Sequence, residues 1–277
     1  MERYRMKTII IIILLIINGF LLVLVGARRS DARRYEQSAL DRTVLVLAEN
    51  GIEMTREAAT LRTPAEPAVV GRNMEAEEKL ASALLGAAAA VDDLGGGLYS
   101  YRAESGAVNM RAGGEFLFLP TDDPMWYTED PNGHSAALLE QAGVTCREVS
   151  SELTDGTGEV EYVQIKDGYP LFSCRITFSY ENGMLLQVSG TLLAVDQIRG
   201  ESGQAISLPT VLMGFLDEVL RSGDVCSAIL SVEPGYRLSQ SFSGAVQLMP
   251  VWYISTNTAD YYADGITGEL TRAAIEK

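Results

Sequence analysis

The sequence predicts an α+β protein: one N-terminal transmembrane helix, then antiparallel β-meanders, each backed by a helix. Three observations carry this. Residues 8–27, from Thr8 to Ala27, contain no charge. From Leu171 to Tyr180 apolar and polar side chains alternate with the period of a strand that buries one face. Apolar residues at helical spacing precede each of the later strand-rich stretches, over 134–143 and 208–221.

At a rise of ~1.5 Å per residue, a helix over 8–27 is about 30 Å long, the thickness of a bilayer's hydrocarbon core. The basic start and the small residues Gly26 and Ala27 also imitate a signal peptide cut after Val25-x-Ala27. The run Ile9–Val25 has 17 residues, however, and signal cores have about 7–15. A retained anchor is therefore the expectation. Arg3, Arg5 and Lys7 precede it, and Arg28, Arg29, Arg33 and Arg34 follow, so flanking charge does not settle orientation. A short N-terminus before a large body is the layout of a signal anchor. It gives a cytoplasmic 1–7, a single pass through the cell membrane and an extracytoplasmic body.

Charge divides the same way. The net charge is −15, yet residues 1–34 hold seven basic and two acidic residues, which leaves 15 basic against 35 acidic in the remainder. So acidic a body repels phosphate backbones and argues against nucleic acid as a partner. The basic flanks suit anionic lipid head groups, and the bilayer is the expected partner there. Cys146, Cys174 and Cys226 are too few and too scattered for a disulfide framework or a zinc site, although one disulfide between two of them stays open.

In chain order, a juxtamembrane segment over 28–56 carries a helix from Tyr35, stopped by Asn50-Gly51. A first α+β segment with a loop spans 57–133. Asn73 caps a helix over 74–91 with Glu75, Glu77 and Glu78 in its first turn, and Gly95-Gly96-Gly97 closes it off. Strands follow at 98–103, 107–111 and 115–119. Pro124, Pro131 and Asn132-Gly133 mark 121–133 as loop. Next come two units, 134–200 and 201–277.

In the first unit, strands over 159–166, 171–180 and 184–192 form a meander. A two-residue Asn182-Gly183 turn would set Phe178 against Gln187 and mismatch the faces. A three-residue loop with Gly183 left-handed instead aligns Tyr180 with Met184, Phe178 with Leu186 and Ile176 with Val188. In the second unit, a helix over 208–221 buries Val211, Leu212, Phe215, Leu216, Val219 and Leu220. Strands follow at 226–232, 250–256 and 260–263.

The two units echo each other. Tyr169-Pro170-Leu171-Phe172 leads to Glu181-Asn182-Gly183, and Met249-Pro250-Val251-Trp252 leads to Tyr261-Tyr262-Ala263-Asp264-Gly265-Ile266-Thr267-Gly268-Glu269. Proline at the first residue of a strand costs no ladder hydrogen bond. The closing stretch resembles the end of a PepSY-type unit. One N-terminal span, a helix, the Gly51-Ile52 step and two such units together resemble the YycI/YycH family of bacterial accessory membrane proteins. The resemblance implies an α+β extracytoplasmic body with two PepSY-like halves. It also implies regulation of a membrane sensor histidine kinase of the YycG/WalK type, through transmembrane and outer contacts. The implied partners are that kinase and a paralogous accessory protein. The family brings no catalytic residues. The competing reading is a PepSY-type binding or inhibitory module acting on a secreted protease or cell-wall enzyme.

No constellation points to an enzyme, a cofactor or a metal. His134, the only histidine, lies in a Pro-Asn-Gly-His-Ser stretch that suits a solvated or capping role. Asp122, Asp123, Glu129 and Asp130 supply oxygens without the spacing of a calcium loop. The candidate sites are partner contacts. Asn18, Leu22 and Gly26 fall on one face of the span with Gly19 beside them, and in lipid an amide and a glycine favour a second helix. Trp126 and Tyr127 are large aromatics among polar residues, either folded onto the body or offered to a partner.

Overall fold

A computed structural model describes residues 2–60, 62, 66–86, 89–121, 124–193, 205–240 and 246–273. It does not describe the side chains of residues 2–13, 16, 22, 23, 25–33, 124 and 240. The chain is α+β. Helix α1 (Glu2–Glu49) is one uninterrupted 48-residue element. It joins the apolar stretch 8–27 to the helix expected from Tyr35, because no proline intervenes between them. It stops as its sequence dictates. Gly51 is left-handed at φ 81°, its N–H donates to Ala48 O at 3.0 Å, and the Ile52 N–H donates to Leu47 O at 2.9 Å. That pair of bonds is a Schellman motif. Among the described residues no helix is long and apolar enough to cross a membrane.

Strands β1 (Glu53–Met54) and β2 (Ala68–Val70) follow. From there one order occurs three times: a helix, then a four-stranded antiparallel meander. The first unit is α2 (Met74–Leu85) with β3 (Ala90–Asp93), β4 (Leu98–Ala103), β5 (Gly106–Arg111) and β6 (Glu115–Pro120). The second is α3 (Pro131–Gln141) with β7 (Cys146–Thr154), β8 (Thr157–Lys166), β9 (Tyr169–Glu181) and β10 (Met184–Thr191). The third is α4 (Leu208–Ser222) with β11 (Ala228–Gln240), β12 (Val246–Thr256), β13 (Asp260–Asp264) and β14 (Leu270–Arg272).

All the strands belong to one 14-stranded sheet. Strand β9 is its junction. It pairs with β8 along most of its length, with β10 through residues 176–181, and with β11 in parallel where Leu171 meets Tyr236. Strand β6 pairs with β10 and attaches the first unit.

Several elements differ from expectation. Helix α2 ends at Leu85, not at 91, because Gly86 adopts φ 67° and caps it. Ala90 and Val91 instead pair with Arg102 and Tyr101. Ala87 and Ala88 lie outside the described residues. The glycine triplet therefore turns a hairpin instead of ending a helix, with φ of 80°, 62° and 80° that only glycine adopts cheaply. The β9–β10 turn has two residues, Asn182 and Gly183, with φ of 50° and 82°, and Glu181 faces Met184. The mismatch of faces is absorbed at Leu186, where the register slips between Leu185 and Gln187. Phe178 then faces Val188, Leu185 is buried, and Leu186 is 48% exposed. A bulge inside the strand does what a longer turn would have done.

In α4 the apolar stripe is narrower than expected, since Leu220 is 60% exposed. Pro250 is the fifth residue of β12 and not the first. It sits just past the last β12–β13 pair, Val251 with Asp264, where no ladder donor is required.

Three apolar clusters result. The largest packs α2 and α3 on β4–β6 and β8–β10, around Leu84, Tyr101, Phe118, Phe178 and Val188. The second packs the end of α1 with α4 on β11–β13, around Leu40, Leu47, Phe215, Trp252 and Ile254. A smaller third one, with Leu171, Cys174 and Leu248, sits at the junction.

Candidate functional site

On α1 the Asn18 side chain is exposed, and its Nδ2 donates to Leu14 O at 3.0 Å. This back-bond uses one of the two donors of the amide. A Cβ at Gly19 would meet nothing within 4 Å. Leu22 and Gly26 lie in the same helix at the spacing that keeps them on the Asn18 face. Their surroundings lie outside the described residues.

The two aromatics before α3 part company. A one-turn 3₁₀ helix over Pro124–Trp126 directs Trp126 inward. Its side chain is 3% exposed, its ring meets Phe118 edge-on at 5.2 Å, and its Nε1 donates to Ser105 O at 3.1 Å. Trp126 is a core residue, and its indole is not a contact surface. Tyr127 is 54% exposed and bridges Met184 across the β9–β10 turn. A Cβ at Gly183 would come within 2.9 Å of the Tyr127 ring and 2.4 Å of Thr128 O, so this turn needs glycine for space as well as for φ.

His134 is partly buried and is not the cap. Asp130 caps α3, its Oδ1 accepting from Gly133 N at 3.0 Å. Asp122 and Asp123 lie outside the described residues. Among the described residues no group of three or more His, Cys, Asp and Glu could hold a metal ion. One turn into α3, His134 Nδ1 meets the Tyr180 hydroxyl at 3.0 Å, and its ring lies beside Trp126 and Tyr180. Burial lowers its pKa and raises that of Tyr180. Next to it, Ser135 Oγ donates to Asn132 O at 3.0 Å and meets the Tyr162 hydroxyl at 2.8 Å, both side chains being buried. Asn132 Oδ1 accepts from Ser151 Oγ at 2.9 Å. These bonds join the first turn of α3 to β7, β8 and β9.

A further surface had no single motif to announce it. On the third meander Trp252, Ile254, Tyr261 and Ala263 are buried under α1 and α4. The alternate residues Tyr253 and Tyr262 therefore lie on the opposite face. There Phe172, Tyr253 and Tyr262 form a triangle with ring centroids 5.1, 5.6 and 5.3 Å apart. The Arg237 guanidinium lies over the Tyr262 ring at 4.7 Å. Arg175 Nη1 donates to Glu161 Oε2 at 2.8 Å. Arg147 makes two bonds to Glu233, at 2.7 and 2.9 Å. The available signal was Trp252-Tyr253 and Tyr261-Tyr262, neighbouring aromatics that must point to both faces of a strand.

No family model matches the chain, and no curated protein matches it. Two solved structures are similar at 11% identity. An uncharacterized protein from Eubacterium rectale aligns with a TM-score of 0.46 over 80% of this chain and 90% of that one. The C-terminal domain of Bacillus megaterium YpeB aligns with a TM-score of 0.38 over 73% of this chain and 98% of that one. Likenesses this distant assign neither a family nor an activity.

A cavity of about 380 Å³ lies between α3 and β7, lined by Leu139, Glu140, Val144, Cys146 and Tyr162. Burial pushes the Cys146 thiol up to about 12, which holds it as a thiol and removes it as a nucleophile at neutral pH. Cys174 is pushed to about 12 for the same reason. All three cysteines are free.

Proposed function

We propose that this protein is a membrane-anchored, non-enzymatic regulator of a membrane sensor histidine kinase, and that it acts through its N-terminal helix and its outer body. In this reading residues 8–27 span the membrane, the body lies outside, and its three helix-and-meander units are PepSY-like. One observation carries it: α1 runs without a break from the apolar stretch into the second core. Leu40 and Leu47 of the same helix are fully buried beside Phe215 and Trp252. A load on the body is thereby passed to the helix with no hinge between them. A regulator of this kind works by contacting two states of its partner unequally. Asn18, Gly19, Leu22 and Gly26 are the proposed helix contact, with Tyr127 as the exposed contact on the body.

Crosslinking in intact membranes tests the reading. A sensor kinase should be recovered with the full chain, and Asn18→Leu should reduce that recovery. Recovery of a secreted hydrolase in place of a kinase would overturn it in favour of an inhibitory module. Protection of residues 35–277 from protease added to intact cells would overturn the outside placement.

A further inference from the structure

We infer that the cleft between α2 and the end of β8 binds a small carboxylate with an apolar body. The cleft measures about 250 Å³. An apolar cavity of about 150 Å³ takes up benzene, so a ring and a carboxylate fit here together. Its apolar lining includes Leu80 of α2, Val144 of the α3–β7 connection, and Leu192 and Leu193 just past β10. Lys79 of α2 and Lys166, the last residue of β8, line it as well. Among the described residues no Asp or Glu lines it. That runs against the composition of the body, where 35 acidic residues stand beyond residue 34 against 15 basic ones. Apolar walls with basic residues alone as the charged lining match a ligand that is apolar at one end and anionic at the other.

The walls are tied in place by bonds within the chain. Gln164 is buried, and its amide is spent on the Leu193 backbone: Nε2 donates to Leu193 O at 2.9 Å, and Leu193 N–H donates to Oε1 at 3.0 Å. The Ile165 N–H donates to Thr145 O at 2.8 Å, which joins the α3–β7 connection to β8. A preformed site spares its ligand the cost of ordering it. Lys79 pairs with Glu75 at 2.8 Å, with side chains 75% and 78% exposed. A pair so exposed is weak, and an ammonium has three donors, so Lys79 keeps the capacity to meet a second carboxylate. Beside the apolar wall that contact is stronger than in open water. The acidic body repels anions at long range, so burial of the apolar part has to supply a share of the affinity. The inference goes beyond the kinase reading and does not depend on it, because ligand binding by the full chain reports on the cleft directly.

Fluorine NMR titration of the full chain in neutral detergent tests it, with para-trifluoromethylbenzoate as the probe and para-trifluoromethylbenzamide as its uncharged counterpart. Saturable binding of the carboxylate is expected, with the amide about tenfold weaker through loss of the charge-assisted contacts. The double change Lys79→Gln and Lys166→Gln should weaken the carboxylate about tenfold and bring it level with the amide. Val144→Trp fills the cleft and should abolish binding of both. Where that variant fails to fold, the lysine pair decides alone, since its surface changes leave the core intact. Acetate, which has no apolar body, should not compete at concentrations equal to the probe. Arg221→Gln, on exposed α4 surface, should bind like wild type. Absence of saturation, equal affinity for carboxylate and amide, unchanged affinity in the double lysine variant or equal competition by acetate each overturns the inference.

Discussion

The two large cores solve packing differently. Under α2 and α3 polar side chains bond to one another inside the apolar cluster: Ser135 with Tyr162, and His134 with Tyr180. Under α1 and α4 the polar atoms reach outward to the rim. Trp252 Nε1 donates to Ile206 O at 3.3 Å, and the Tyr261 hydroxyl donates to Asp224 at 3.0 Å. The interior there is left to Leu40, Leu47, Phe215 and Ile254. A satisfied polar network ties a helix to one position on its sheet. An apolar stripe supplies stability in proportion to its burial and is indifferent to small shifts. The first arrangement fixes α3. The second is the one that receives the long helix.

The largest effects should fall on the apolar core. Phe215→Ala should cost about 3–5 kcal/mol and Leu47→Ala about 2–5 kcal/mol, measured by urea unfolding of the full chain in detergent. Losses below about 1 kcal/mol would mean that α1 is not part of that core.

The polar network should answer next and in a different way. Ser135→Ala should cost about 1–3 kcal/mol by stripping a partner from the buried Tyr162 hydroxyl. Adding Tyr162→Phe should cost less than the sum of the single changes, because the two hydroxyls bond each other and share Asn132 O as acceptor. Strict additivity would show that the two hydroxyls are not coupled.

His134 sharpens the contrast through pH. Its pKa in the folded chain lies below the ordinary value of 6.5, because burial disfavours the charged ring. The unfolded chain therefore binds more protons than the folded one as pH drops below 6.5, and stability falls on acidification. In His134→Gln the urea midpoint should change less between pH 7 and pH 5.5 than in wild type. An equal change would remove the histidine from the account.

The smallest effect is expected at Tyr101. Its side chain is 1% exposed, and its hydroxyl is the one buried side-chain polar atom without a partner among the described residues. Tyr101→Phe should be neutral or stabilise by a few tenths of a kcal/mol, since it removes an unpaired buried group. A loss above about 1 kcal/mol would reveal a partner for that hydroxyl.

Elements whose signal is local were legible. Strand β9 alternates as its sequence does, α4 buries Val211, Leu212, Phe215, Leu216 and Val219, and α1 stops at Asn50-Gly51. Strand β7 was not legible, because its residues are almost all exposed and carry no alternation. Only two of the three repeats show in the sequence, since the glycine triplet and the alanines before it imitate a helix and its stop. The candidate contacts divided on a single turn: Trp126 and Tyr127 are adjacent in sequence, and only the 3₁₀ geometry decides which is buried.

By itself the sequence determined composition-driven features: an uncharged N-terminal stretch, an acidic body, the buried face of β9 and the ends of α1 and α4. Each depends on neighbours within a few residues, which is the range over which periodicity and capping act. Tertiary structure alone decided the pairing of β9 with β11, the bulge at Leu186, the environment of His134 and the meeting of Phe172, Tyr253 and Tyr262. Those contacts join residues tens of positions apart, and only packing across the sheet selects among them.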